Sequence, residues 1–248
     1  MRKPIIIGNW KMNGSMAFAK EFATELNTLI TSQSCDVAIC PPATALTTLA
    51  EALKNTKIAL GAQNVHFEEK GAFTGEISTS MLKECGVKYV ILGHSERRKY
   101  FAESNADICK KVKSSIAADL IPVLCVGESL KEREEGKTEA HLHTELQECL
   151  QGVQSPENLI IAYEPLWAIG TGKTATPQEA NETIGFIRSE LAKIFSAEVA
   201  QKIRILYGGS MNAQNAESLL NMPEIDGGLI GGVSLIVKDF ASVINSNC

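Results

Sequence analysis

Residues 121–163 read IPVLCVGESLKEREEGKTEAHLHTELQECLQGVQSPENLIIAY, an apolar run, a helical stretch and a second apolar run. The first run is Ile121–Val126, a helix is predicted over Thr138–Gln151, and the second run is Leu159–Tyr163. Alternating strands and helices are typical of a parallel sheet with helices outside it. Both runs are almost continuously apolar, which fits strands that are buried on both faces. This stretch therefore predicts an α/β fold.

The same unit recurs along the whole chain of 248 residues. The apolar runs come about every 30 residues, which is the length of one strand–helix–strand repeat. Eight repeats can close into a barrel, but an open doubly wound sheet has the same periodicity and stays the alternative at this point. No linker rich in Pro, Gly or Ser divides the chain, so residues 1–248 are predicted to form one domain. The predicted strands are Pro4–Gly8, Val37–Cys40, Ile58–Gly61, Tyr89–Leu92, Ile121–Val126, Leu159–Tyr163, Ile203–Tyr207 and Gly228–Ile230.

Helices are predicted between these runs, among them Ala17–Ile30, Asn105–Ala118 and Pro177–Phe195. The last of them has a defined start. Thr176 and Glu179 have the spacing of a capping box, in which each side chain binds the other residue's backbone N–H, and proline suits the first helical position.

Charge and composition exclude several classes of protein. A net charge of −5 gives no general attraction to nucleic acid or to anionic membranes. The apolar N-terminal run is too short for a signal peptide, and no stretch is long enough to span a membrane. The seven cysteines contain no Cys-x-x-Cys pair, which favours free thiols and a cytoplasmic location. His141 and His143 are two residues apart and face different sides of a helix, so no metal site is predicted.

A carboxylate, Glu164, follows the sixth predicted strand and precedes a loop that runs to Thr176. Residues 170–175 match the G-x-G-x-x-A pattern of dinucleotide-binding folds, but that pattern must open directly into a helix, and here the helix starts only at Pro177. Residues 172–174 resemble the end of a P-loop, but Trp167 stands where its first glycine is required. The interpretation that remains is a catalytic carboxylate at the end of a strand, followed by an active-site lid. The alternative is a surface loop with a solvated glutamate.

Glycine pairs follow the last two predicted strands, Gly208-Gly209 before Ser210 and Gly231-Gly232 before Val233. Glycine allows a ligand to approach the backbone, and clustered N–H groups bind anions without a charged side chain. In an eightfold barrel the loops after strands seven and eight often bind phosphate. The two pairs together favour a phosphate site over ordinary turns.

Two further polar residues follow predicted strands. His94 follows the fourth strand and is a candidate acid, electrophile or ligand, although a lone histidine is more often a hydrogen-bonded core residue. Lys11 follows the first strand, and in a closed barrel that strand lies beside the eighth, which would place the lysine near the glycine pairs.

Seven motifs follow one another in order along the chain, and they are Asn9–Asn13, Ala62–Val65, Gly71–Glu76, Ile91–Arg98, Ala162–Lys173, Tyr207–Ser210 and Gly231–Leu235. With these motifs the chain resembles the triosephosphate isomerases from end to end. This family gives the (β/α)8 barrel its name and is a standard example of acid–base catalysis.

The resemblance implies a closed eight-stranded parallel barrel that interconverts D-glyceraldehyde 3-phosphate and dihydroxyacetone phosphate through an enediolate, in glycolysis and gluconeogenesis, without a cofactor. It assigns Glu164 as the base, His94 as a neutral electrophile and Lys11 as the electrostatic clamp, with Asn9 beside it. The implied phosphate ligands are the backbone N–H groups of Gly170, Ser210, Gly231 and Gly232.

The resemblance also implies a lid and a homodimer. The lid is the loop from Pro165 to Thr174, which includes Trp167 and Gly172. The dimer loop is Gly71–Glu76, whose Thr74 would reach the partner's active site near Asn9 and Glu96.

The sequence departs modestly from the family pattern, and two other functions are alternatives to the isomerase. Val233 stands where alanine is usual, which adds bulk beside the phosphate turn, and Leu166 stands where valine is frequent. His66 lies in a variable part of the dimer loop. One alternative is a different phosphate-binding barrel enzyme, such as an aldolase or a decarboxylase. An aldolase would require a Schiff-base lysine inside the barrel, and no predicted strand contains one. A non-catalytic scaffold protein would be expected to lose Lys11, His94 or Glu164.

Overall fold

The computed structural model describes residues 2–31, 34–154, 156–168 and 174–246. Parallel strands β1 to β8 follow one another around a closed barrel, so the barrel, and not the open sheet, is confirmed. Each strand begins and ends within one residue of its predicted bounds. The strands are Ile5–Asn9, Asp36–Cys40, Ile58–Ala62, Tyr89–Leu92, Ile121–Val126, Ile160–Tyr163, Arg204–Tyr207 and Gly227–Ile230.

Helices α1 to α11 surround the barrel within the described ranges. The four predicted helices are present to within two residues at each end, and both hydrogen bonds of the Thr176–Glu179 capping box form. The helices are Met16–Leu29, Leu46–Leu53, Thr79–Glu84, Ser95–Phe101, Asn105–Ala117, Leu130–Glu134, Thr138–Cys149, Pro177–Ile194, Ala197–Ala200, Ala216–Leu220 and Val237–Asn245.

The barrel closes where β8 pairs with β1, from Ile5 opposite Gly227 to Gly8 opposite Ile230. Gly227 has a φ of +144°, and a Cβ placed there would lie 1.8 Å from the carbonyl oxygen of Ile5. Glycine is therefore required at this position, because any side chain would separate the two strands that close the sheet.

The core has two layers. One fills the barrel interior with side chains such as Ile7, Tyr89 and Leu206, and the other lies between the barrel and the helices and includes Trp10 and Phe240. This arrangement explains the continuous apolar runs, since successive side chains on a strand point into different but equally buried layers.

The amino-terminal end of the barrel is closed by paired charges. The buried Arg188 of α8 contacts Asp226 at 2.8 Å and Glu224 at 2.5 Å, and it donates to three backbone carbonyls. Asp226 also binds Arg2 at 2.6 Å. This network ties the chain's start to the strand ends on that side.

The cysteines differ in part from the prediction. Cys40, Cys85, Cys109, Cys125 and Cys149 are free thiols. Cys35 is disulfide-bonded, so the prediction of free thiols is wrong at this residue; a cysteine count cannot show which thiols meet in space. Cys248 lies outside the described residues. None of the helices in the described ranges is long and apolar enough to cross a bilayer.

Candidate active site

A pocket of about 380 Å³ opens at the mouth formed by the carboxyl ends of the strands. The residues singled out from the sequence that line it are Asn9, Lys11, His94, Glu164, Gly208, Gly209, Ser210, Gly231, Gly232 and Val233. These residues are far apart in sequence and meet because parallel strands all point the same way around the barrel. Met211, Asn212 and Leu229 also line the pocket and were not predicted, because nothing in their residue types indicates chemistry.

Glu164 is buried and held by two donors. One carboxylate oxygen lies 2.9 Å from Nε2 of His94, and the other accepts from the backbone N–H of Ser95 at 3.0 Å. Burial raises the pKa of this carboxyl group, but the His94 charge and hydrogen bond, the Ser95 N–H and the Lys11 charge outweigh it, so the pKa is lowered. Glu164 is therefore ionised at neutral pH and able to accept a proton.

His94 caps the N-terminus of α4. Its Nδ1 accepts from the backbone N–H of Glu96 at 3.2 Å, which leaves no room for a proton on Nδ1 and places the ring's N–H at Nε2, facing the Glu164 carboxylate. Burial lowers the pKa of His94, but the adjacent Glu164 carboxylate more than offsets this and raises it. In the neutral ring, the hydrogen bond from the Glu96 N–H to Nδ1 selects the tautomer that carries its hydrogen on Nε2.

Lys11 has a left-handed backbone with a φ of +52°, an uncommon conformation for a residue with a side chain. The Gln63 amide holds it there by donating to the Lys11 carbonyl at 2.8 Å, while Asn9 accepts from the Lys11 N–H at 3.0 Å. The ammonium group binds Glu96 at 2.8 Å. Gln63 belongs to a motif quoted above but was not predicted as a site residue, because its role lies in backbone geometry.

The second glycine pair lies beside the lysine. A Cβ at Gly231 would lie 3.6 Å from Cε of Lys11, and one at Gly232 would meet nothing within 4 Å. The first pair contacts the carboxylate instead, since a Cβ at Gly208 would lie 3.0 Å from Cγ of Glu164. A small anion at the second pair would thus touch both backbone and ammonium group.

The start of the predicted lid is anchored to neighbouring loops. Trp167 donates from its ring nitrogen to the buried Glu128 at 2.8 Å, and the Arg133 guanidinium lies 4.2 Å from the Trp167 ring centre. Ser210 donates to the carbonyl of Ala168 at 3.0 Å. Pro165 is buried beside Glu164. Sequence reasoning missed Glu128 and Arg133, whose roles depend on contact in space between the segment after β5 and the segment after β6.

Gly170 and Gly172, which were predicted as phosphate ligand and lid residue, lie outside the described residues. Thr74 is exposed in the loop Gly71–Glu76 and is not among the residues that line this chain's pocket. Within the described ranges, no cluster of His, Cys, Asp and Glu side chains is arranged to hold a metal ion.

Comparison with known proteins gives a consistent result. The family model described as triosephosphate isomerase matches residues 4–247. The triosephosphate isomerase of Carboxydothermus hydrogenoformans is 52% identical over 250 residues, which cover 100% of both chains. That of Clostridium novyi is 51% identical over 247 residues, and that of Caldanaerobacter subterraneus is 49% identical over 247, each covering at least 99% of both chains.

Proposed function

The chain belongs to the triosephosphate isomerase family, and we propose that it interconverts D-glyceraldehyde 3-phosphate and dihydroxyacetone phosphate, a step of glycolysis and gluconeogenesis. The observation that carries this proposal is the convergence of a carboxylate, an imidazole N–H and an ammonium group on one pocket beside the glycine pairs. The reaction moves a proton between adjacent carbons and causes no net redox change, so it requires no cofactor.

Glu164 is the base in this proposal. It takes a proton from one substrate carbon and returns it to the neighbouring carbon. Its lowered pKa keeps it ionised in the free enzyme, and the Ser95 N–H and His94 fix its orientation. Aspartate would fall ~1 Å short of the carbon, and misplacement of that size costs about 100-fold in rate.

His94 and Lys11 stabilise the negative charge that develops on the substrate oxygens. The Nε2–H of His94 donates a hydrogen bond, and Lys11 contributes charge, with Asn9 fixing the lysine backbone. Donors that are already oriented require no rearrangement during the reaction, which is why preorganised sites of this kind accelerate it. Glu96 positions both groups, because its carboxylate binds Lys11 and its backbone N–H donates to Nδ1 of His94.

The phosphate group does not react but supplies binding energy. We assign it to backbone N–H groups of Gly170, Ser210, Gly231 and Gly232, next to Lys11. Energy from this remote group can support closure of the lid that the family resemblance implies, which includes Trp167 and Gly172. Closure excludes water and strengthens the electrostatic contacts around the intermediate.

A homodimer is part of the proposal. On the isolated chain, Met12, Phe73 and Tyr100 are large apolar side chains with 94%, 43% and 67% exposure, and contact with a second chain would remove such side chains from water. The loop Gly71–Glu76 carries Phe73 and its Thr74 is exposed, so it is available to enter a partner's site.

Native mass measurement is expected to give twice the chain mass, and Phe73→Asp is expected to give the monomer. A monomeric wild type would contradict the proposed homodimer.

We also propose that residues 1–248 form one domain and that the protein works in the cytoplasm. Closure of the barrel by strands from both ends of the chain supports the first statement. The five free thiols support the second, whereas the disulfide at Cys35 does not.

A coupled assay with glyceraldehyde 3-phosphate, in which dihydroxyacetone phosphate is reduced by a second enzyme, tests the function. Rapid turnover is expected, with a heat-inactivated sample as the control. No turnover in either direction would overturn the proposal. An aldolase would instead be trapped by borohydride with substrate; the buried Lys111 does not fit that role, since it lies on α5 and binds Glu103 and Asn64.

A further inference from the structure

A second cavity, of about 300 Å³, adjoins Glu164. Glu164 lines both cavities, so residues that fix the wall of the second cavity can also fix the position of the proposed base. The second cavity is bounded by the loop after β5, residues 127–129, and by α7.

The backbone of residues 126–128 packs directly against the segment that carries the base. A Cβ at Gly127 would lie 1.8 Å from the carbonyl oxygen of Glu164, so the two backbones are in contact. Glu164 donates its N–H to Val126 at 2.8 Å, and Leu166 donates to Glu128 at 3.1 Å. A shift of this loop would therefore move the base and the start of the lid together.

Two glutamates hold the ends of the loop. Glu145 of α7 accepts from the backbone N–H of Gly127 at 2.9 Å. Glu132 of α6 accepts from both the N–H and the hydroxyl of Ser129 at 2.7 Å each.

One imidazole joins these two glutamates. Nδ1 of His141 lies 2.8 Å from Glu132, and Nε2 lies 3.5 Å from Glu145. The carboxylates approach opposite nitrogens of the ring, so they do not converge on a common point where a metal ion could sit. The contacts instead form a continuous chain from Gly127 through Glu145, His141 and Glu132 to Ser129.

We propose that His141 is a positioning residue for the isomerase reaction, which bridges Glu132 and Glu145 and thereby holds residues 127–129 against the backbone of Glu164. The inference rests on the proposed function, in which Glu164 is the base. Only the imidazolium has an N–H on both nitrogens, so it alone can donate to both carboxylates, whereas the neutral ring must release one of them.

The bridge is accordingly sensitive to pH. Glu132 on α6 and Glu145 on α7 face the ring, and Arg98, Lys99 and Glu164 lie around the same cavity. Contact with Glu145 raises the pKa of His141, and the charges of Glu145 and Glu132 add to this against the effect of burial. Because the pKa is raised in the folded protein, the bridge is complete at lower pH and is lost as the pH rises through that pKa.

The test compares kcat, KM and the Kd of inorganic phosphate for wild type and His141→Gln between about pH 6 and about pH 10. At the acidic end we expect kcat to fall about fivefold in the variant, with KM and phosphate affinity within about twofold, because the base is displaced and the phosphate site is not. At the alkaline end the two enzymes should converge, since wild type has also lost the bridge.

His143→Gln is the matched control. It removes a histidine from the same helix, but this one is half-exposed and binds Glu190 on α8, so kcat should be unchanged. Glu132→Gln is the second variant. Glutamine keeps the capping interaction with Ser129 but removes the charge that holds the imidazolium, and kcat should fall as in His141→Gln.

Three results would overturn the inference: an unchanged kcat in His141→Gln, a kcat ratio that does not vary with pH, or an equal loss of phosphate affinity. In each case the variant is compared with a wild type that converts triose phosphates. An inert wild type would instead overturn the proposed function itself, so the two failures are distinguishable.

Discussion

The two ends of the barrel use charge in opposite ways. At the amino-terminal end, Arg188 and Arg2 are paired with the carboxylates of Asp226 and Glu224 in one ionic network. At the carboxyl end, Glu164, His94 and Lys11 also contact neighbours, but they face an open cavity. The first arrangement stabilises the fold and the second prepares a reaction, so substitutions at the two ends should have separable effects.

Arg188→Ala should give the largest effect, and only on stability. Removing one partner of a buried ionic network costs about 3–5 kcal/mol, because the remaining charges lose their compensation. Urea unfolding measures this, and kcat of the folded protein should be unchanged. Lys3→Ala is the control: it removes an exposed pair with Asp36 and should cost less than about 1 kcal/mol. A loss in Arg188→Ala as small as in the control would contradict the comparison.

Glu164→Asp should have the next largest effect, and only on the reaction. We expect kcat to fall about 100-fold or more, because the shorter side chain withdraws the base from the substrate carbon. The urea midpoint should stay the same. Glu182→Asp, on the exposed face of α8, should change neither quantity. Near-normal turnover in Glu164→Asp would show that another group is the base.

Lys11→Ala should weaken the binding of inorganic phosphate about tenfold or more, since it removes a charged donor beside the second glycine pair. Calorimetric titration measures the Kd, and the exposed Lys20→Ala on α1 serves as the control. An unchanged Kd would remove Lys11 from the phosphate site.

Val233→Ala should give the smallest change. Val233 lines the pocket but makes no charged contact, so the Kd of phosphate should tighten by about twofold, within the range typical of partly exposed positions. A tenfold change would show that this side chain narrows the phosphate site more than its position suggests.

Prediction from the sequence succeeded where local chemistry decides the outcome. The strands followed from apolar runs and the start of α8 from its capping box. The residues that line the pocket at strand ends were found because barrel topology fixes where such ends meet, although the choice of a barrel over an open sheet came from the family resemblance.

Prediction failed where function depends on contacts between distant segments. The support of Lys11 by Gln63 and the contact of Trp167 with Glu128 each join loops that follow different strands. The bridge through His141 joins α6 to α7, two helices of the segment between β5 and β6. The residue types of Gln63 and His141 do not indicate which partners these side chains contact.

The amino-acid sequence alone determined the alternation of strand and helix, the positions of the elements and the kinds of side chain available at the strand ends, because these depend on hydrophobic period and on turn and cap chemistry. Only the tertiary structure decided which tautomer His94 adopts, how Lys11 is held in a left-handed conformation and which loop presses on Glu164. Those properties arise from distances of about 3 Å between residues far apart in the chain, over which hydrogen bonds and charge interactions act.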